Sequence, residues 1–286
     1  MNISDTMLFR WVGYGIEKPK FKKHPANKRP PLTEIPDLTS EECDDYFSYL
    51  CDALNPGKGL KVGAVSDADR VGWLLPVVEP PPCLFFTEQA AGNSDQHWGL
   101  YGRLGFGFSK RFIFECGGRP VIYTRGLSKD PVVAAVESLR RLAREAKPER
   151  RSSFGAHVEL LARFIKCTLP PRQPKSKPSP AGRVKTTKAE TQQPDYPRHR
   201  PIRFLSEREW RLPVNPKSER FGEIKEEGED AGWWFRPKLG LELQLIILPN
   251  NYFLHKAMNC ENIRKRLSET SKQPVQLISA QALQKL

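Results

Sequence analysis

The stretch FLSEREWRLP, Phe204 to Pro213, sets two carboxylates, Glu207 and Glu209, on either side of Arg208, with Trp210 and Arg211 following. A carboxylate held beside a reacting carbon stabilises positive charge developing there and orients the attacking group, which makes this pair the candidate catalytic set. In a strand, positions i and i+2 share a face, so both glutamates lie together and Trp210 lies opposite. A regular strand with one buried face cannot turn Trp210 and the two glutamates inward at once. On an exposed face the same acids form surface ion pairs with the arginines, worth about 0–1 kcal/mol each.

The second informative stretch is HWGLYGRLGFGFSKRFIFECGGRPVIY, His97 to Tyr123. His97 stands near Asp95 and Glu88 as an acid–base group would, but no serine or cysteine elbow accompanies it, and a turn histidine is the simpler reading. The glycines of GRLGFGFSK lack the Gly-Lys-Ser/Thr ending of a phosphate loop, since Ser109-Lys110 does not supply it. Glycines alternating with Phe106 and Phe108 put both rings on one face and let a neighbouring backbone or helix approach the strand closely. The 6 cysteines (Cys43, Cys51, Cys83, Cys116, Cys167, Cys260) contain no CxxC pair and no matching histidine spacing, so neither a metal site nor a redox dithiol is expected. They read as reduced, mostly buried small residues.

These residues need a scaffold, and 286 residues at 38% hydrophobic content are enough for a core. The formal net charge of +13 is concentrated: Pro170 to Arg203 holds 9 Lys or Arg against 2 acids, with 8 prolines. Such a segment buries little apolar surface and reads as a disordered basic insertion, with nucleic-acid contact through its cations as a secondary expectation. It divides the chain into 1–169 and 204–286, two parts of one domain. Lys18 to Pro31 is a second basic, proline-broken loop, read as a solvated rim. No apolar run approaches the roughly 20 residues that span a bilayer, and the start MNISDTMLFRW lacks the features of a secretory signal. A cytoplasmic protein without membrane partners is expected.

The ordered segments alternate in type, which predicts an α+β fold with a single mixed β-sheet and packed helices. Strands are expected at Leu8–Val12, Gly59–Val62, Cys83–Thr87, Leu104–Ser109, Arg119–Thr124, Phe204–Leu212, Leu243–Leu248 and Val275–Ile278. A helix begins at Thr39, with Glu42 completing a capping box, and stops at Asn55-Pro56-Gly57. Lys110–Cys116 reads as a helical turn closed by Gly117-Gly118. Further helices are expected at Pro131–Lys147, Phe154–Cys167 and Tyr252–Leu267, with a turn at Asp95–Tyr101 and an acidic loop at Glu223–Asp230.

The blocks LFRWVG, CLFFTE, YGRLGFGFSKRFIFECGGRPVIY, FLSEREWRLP and LIILP occur in an order that resembles the AbiGi-type antitoxin family of abortive-infection phage resistance. The resemblance covers most of Met7 to Pro249 outside the two basic segments, which depart from a compact family member. It implies a bacterial toxin–antitoxin locus in which the chain neutralises a cognate toxin by binding it, with no cofactor and no enzymatic residue set.

A sheet that opens with a strand, a helix and a glycine-bounded return also resembles ADP-ribosyltransferases. That resemblance implies NAD as cofactor, with Glu207 or Glu209 as the late acid and Tyr101 or Tyr123 as the stacking aromatic. Arg10 then stands where a histidine belongs, which weakens an active transferase. The cleft it implies is lined by Arg10, His97, Tyr101, Tyr123 and Arg208. Three functions therefore compete: a partner-binding antitoxin, an NAD-dependent transferase, and a basic nucleic-acid-binding accessory protein.

Overall fold

The computed structural model describes residues 7–12, 40–62, 74–88, 102–124, 130–167, 208–224, 232–269 and 274–283. In chain order these begin with β1 (Met7–Val12), α1 (Ser40–Leu54), β2 (Leu60–Val62), β3 (Cys83–Thr87), β4 (Leu104–Ser109), α2 (Lys110–Glu115), β5 (Arg119–Pro120) and β6 (Ile122–Thr124). Next come α3 (Pro131–Glu145), α4 (Pro148–Ala162), β7 (Ile165–Cys167), β8 (Glu209–Pro213), β9 (Phe221–Ile224) and β10 (Gly232–Phe235). The last elements are β11 (Leu243–Leu248), α5 (Asn251–Asn259), α6 (Glu261–Ser268), β12 (Gln276–Ser279) and α7 (Ala280–Leu283). Thr39, the Lys18–Pro31 loop, the Asp95–Tyr101 turn, residues 170–203 and Phe204–Glu207 lie outside the described residues.

The fold is α+β. Its main sheet has 7 strands in the order β12-β11-β4-β1-β3-β8-β5. Its pairings are antiparallel except for the parallel β11–β12 edge. Two smaller sheets accompany it, β2-β10-β9 and the parallel pair β6-β7. β8 and β11, which follow residues 170–203, pair with β3 and β4, which precede them.

One face of the main sheet carries Leu8, Leu84, Phe86, Phe106, Phe108, Trp210, Leu212, Ile246 and Leu248. Tyr46 and Leu50 of α1, Ile113 of α2, Phe253 of α5, Ile263 of α6 and Phe235 of β10 close over them. As the alternation predicts, both Phe106 and Phe108 point into this core, and Phe108 meets Phe86 edge-on with ring centroids 5.5 Å apart. The opposite face is also covered, with Met7, Phe9, Trp11, Leu245 and Ile247 buried in a second cluster. There Gly107 pairs with Phe9 and Gly105 with Trp11. The close approach expected at these glycines is therefore made by cross-strand side chains rather than by a helix or backbone. A Cβ on Gly105 would stand 2.6 Å from Trp11 Cζ3.

Several boundaries differ from the sequence reading, each for a local reason. Pro148 takes the first helical turn of α4 and holds the preceding Lys147 extended at φ −54°, ψ 144°. The single helix expected from Phe154 therefore starts earlier, and α3 stops at Glu145. That helix also ends at Ala162, because Ile165–Cys167 pairs in parallel with β6. The strand expected over Arg119–Thr124 splits at Val121: β5 joins β8, whereas β6 joins β7 in another sheet. Glu223, expected in a loop, lies on β9 opposite Trp233 of β10. The last long helix breaks at Cys260, which is extended between α5 and α6. Of the cysteines whose side chains are described, Cys43 and Cys83 are buried, whereas Cys51, Cys116 and Cys260 are half-buried.

The α3–α4 hairpin is pinned to residues 74–78 by a buried ion pair. Arg140 donates to Glu159 from Nε at 2.9 Å and from Nη2 at 2.7 Å. Glu159 also accepts from the Val77 N–H at 3.1 Å, and Glu137 accepts from the Leu74 N–H at 3.1 Å. Gly155 sits against Val77, where a Cβ would meet Cγ1 at 2.8 Å.

Replacing Gly105 by alanine forces the Trp11 ring to shift inside a filled layer. Urea denaturation is expected to show a loss of about 1–3 kcal/mol with an unchanged m value. Unchanged stability would mean that Trp11 does not pack on Gly105.

Candidate functional site

β8 carries Glu209, one of the two catalytic candidates, and all five of its residues are buried. Trp210 and Leu212 belong to the main core. Glu209 and Arg211 therefore share the other face, in the cross-strand row Phe9, Thr87, Glu209. Alternation holds as expected, but the choice between inward and outward does not arise, because both faces are covered.

Glu209 is correspondingly not part of a surface ion pair. Its Oε1 accepts from Arg211 Nε at 2.7 Å and its Oε2 from Lys166 Nζ at 2.6 Å. Arg211, fully buried, also donates from Nη1 to the Arg163 carbonyl at 2.8 Å and lies 5.3 Å from the centroid of the Phe85 ring. Lys166 arrives on β7, which pairs with β6, and just before β6 the Val121 N–H donates to the Glu209 carbonyl at 2.8 Å. The Tyr123 hydroxyl accepts from the Glu209 N–H at 3.4 Å, so this aromatic meets the strand through its oxygen. A negative charge inside a protein requires such partners, and here each carboxylate oxygen has one cation.

At the start of β8 a second cluster surrounds Glu88. Its Oε2 accepts from Trp210 Nε1 at 2.9 Å, and its Oε1 accepts from Lys110 Nζ. Arg208 Nη1 lies 3.7 Å from Oε1, on a side chain that is 71% exposed. Lys110 Nζ also sits 5.5 Å from the centroid of the Trp210 ring. Arg208 has φ +40°, a left-handed conformation that few non-glycine residues adopt, and its carbonyl accepts from the Glu88 N–H at 3.3 Å. Burial alone would raise the Glu88 carboxyl. The hydrogen bonds from Lys110 and Trp210, with the charges of Lys110 and Arg208, outweigh it and hold Glu88 below the ordinary carboxylate range.

Arg10 is elsewhere. It pairs with Phe106 and shares the parity of Leu8, so its side chain lies on the main-core face, with the sheet between it and Glu209. Arg10 and Glu209 therefore do not line one cleft. Glu207, His97 and Tyr101 lie outside the described residues. Lys166 and Lys110 were not read from the sequence as site residues. The i, i+2 spacing was read for Glu207 and Glu209 and not for Glu209 with Arg211; Lys166 and Lys110 are brought in by β7 and α2.

Among the described residues no group of three or more His, Cys, Asp or Glu side chains is placed to hold a metal ion, and no helix is long and apolar enough to cross a membrane. Comparison of the chain with protein families, with curated proteins and with solved structures finds no match.

Glu209→Gln leaves Arg211 and Lys166 without their counter-charge. It is expected to cost about 3–5 kcal/mol in urea denaturation, whereas a loss below about 1 kcal/mol would show a solvated cluster. A carboxyl lowered on folding contributes stability that is complete above its unfolded value, about 4.3, and is lost as pH falls through the folded one. Thermal midpoints of Glu88→Gln should thus fall less steeply than those of the wild type on acidification below about pH 5. Parallel curves would place Glu88 in water.

Proposed function

We propose that this chain acts by binding a partner protein, as the antitoxin-like component of a bacterial abortive-infection toxin–antitoxin system, and that it does so in the cytoplasm. The observation that carries the reading is the state of Glu209, whose carboxylate oxygens are taken by Lys166 and Arg211 inside the sheet. A transferase acid must offer its charge to a cationic transition state in an open cleft. A carboxylate already neutralised by two cations has little left to offer, and Arg10 lies across the sheet from it.

The motif blocks that suggest the family support the same reading. LGFGFS forms β4, the following KRFIFE forms α2, and EWRLP forms β8, all contributing to the cores of the sheet. Residues of this kind hold a scaffold together and leave recognition to surfaces around it. The cognate toxin is a protein encoded beside this chain, and binding it requires neither NAD nor another cofactor.

Co-expression tests the proposal. A neighbouring reading frame that is toxic alone should become tolerated beside this chain, and the two products should co-purify. A neighbour that stays lethal in the presence of the folded protein overturns the reading, as would transfer of label from NAD by the purified protein.

A further inference from the structure

The turn that joins α3 to α4 gathers positive charge. Residues 141–151 (RLAREAKPERR) hold 5 Lys or Arg against 2 acids. Arg141, Lys147, Arg150 and Arg151 are exposed and Arg144 is half-buried. Among the described residues none of these five cations is in an ion pair, although Glu145 and Glu149 lie beside them in the chain. Exposed basic stretches elsewhere are partly neutralised. On α5 and α6, for example, Lys256 is held by Asp44 and Arg266 by Glu269. Arg144 and Arg151 do have partners, but neutral ones: Nη2 of Arg144 donates to the Leu75 carbonyl and Nη2 of Arg151 to the Ala146 carbonyl at 3.4 Å. Arg141, Lys147 and Arg150 make no side-chain hydrogen bond among the described residues.

The turn is held in place from below. Pro148 opens α4 directly after the extended Lys147, the Arg140–Glu159 pair locks the two helices together, and Gly155 lets Val77 close against α4. Cations carried on fixed helix ends give up little freedom when they meet fixed negative charges. An acidic protein surface and a phosphate backbone both carry such charges, and the local chemistry separates them. Protein recognition concentrates on aromatic anchors seated in pockets, and residues 141–153 contain no aromatic residue. Single-stranded nucleic acid needs the same rings for base stacking. Duplex backbones are held by Arg, Lys, hydroxyls and helix N-termini. Here Ser152 and Ser153 are exposed next to Arg150 and Arg151, and Lys147 gives the start of α4 no side-chain cap.

We propose that the α3–α4 turn is a contact surface for the phosphate backbone of double-stranded nucleic acid, with Arg141, Lys147 and Arg150 as the side chains that engage phosphates. Arg144 and Arg151, committed to carbonyls, add to the local positive field. Contacts of this kind position a duplex without reading its sequence. The surface is separate from the partner-protein reading and from residues 170–203, where the sequence placed nucleic-acid contact.

The test is fluorescence anisotropy of a labelled duplex, DNA and RNA in parallel, titrated with the full chain over a range of salt concentrations; the tighter duplex identifies the nucleic acid. The triple variant Arg141→Gln, Lys147→Gln, Arg150→Gln is compared with Lys217→Gln, Arg264→Gln, Lys265→Gln, which removes the same formal charge from exposed positions elsewhere. The turn variant should lower the slope of log affinity against log salt by about 2–3 and weaken binding at least about tenfold at low salt, whereas the control should change the slope by less than about 1. Glu145→Gln with Glu149→Gln should tighten binding, which keeps the proposal testable if the turn variant does not fold. Circular dichroism confirms which variants keep the wild-type fold. No salt-dependent binding by the wild type, equal losses in the two triple variants, or unchanged binding on removal of the two glutamates overturns the surface. Displacement of the duplex by polyglutamate at equal charge also overturns it and assigns the turn to an acidic protein.

Discussion

A β-sheet covered on both faces leaves no side of its inner strands to water, and this constraint organises the rest of the protein. β8 shows its force: Trp210 and Leu212 go into the main core, so Glu209 and Arg211 must be buried on the other side. Desolvated charges persist only with partners, and the fold supplies Lys166 from β7, the Arg163 carbonyl and the Phe85 ring. The same requirement explains why the chain around Val121 leaves β5 and continues in a different sheet with β7. The detour brings the Val121 N–H and the Tyr123 hydroxyl onto the Glu209 backbone.

The buried arginines Arg140 and Arg211 show how the constraint is met. Arg140 and Arg211 are structural, each held by a carboxylate within its own packing unit. Arg140 ties α3 and α4 to the segment before β3, and Arg211 ties β8 to the turn after α4. Arg10 belongs to neither unit and sits in an otherwise apolar layer formed by Leu8, Phe106 and α1.

The strands that alternate or run apolar were legible in the residues. LFRWV, CLFFT, LGFGFS and LQLIIL appear within a residue of their expected bounds, since periodicity and β-branched or aromatic content report local preference directly. The hairpin β9–β10 was missed because GWWF has no polar alternation and follows a run of acids, so only its pairing with β2 marks it as a strand. The start of α4 was missed: Pro148 occupies its first turn, ahead of the start expected at Phe154. The site was legible in part. Alternation put Glu209 opposite Trp210, but Arg211 was read only as the residue after Trp210, and Lys166 lies 43 residues away in sequence from Glu209, a distance that no local pattern spans. Whether a strand is covered on one face or two is a tertiary property, and the expectation of a surface ion pair failed on that point.

The order of strands in the main sheet has a kinetic consequence. β1 and its neighbours β3 and β4 come early in the chain, yet β3 waits for β8 and β4 waits for β11, with Cys83 meeting Pro213 and Gly105 meeting Ile247. During synthesis the early strands emerge with two unpaired edges and with Phe86, Phe106 and Phe108 lacking the helices α5 and α6 that later cover them. Pairings this distant in sequence form slowly, and open edges are templates for other chains. The first half of this protein therefore depends on its last third being made soon after it, so translation rate and chaperone occupancy across that interval set how much of it reaches the folded state.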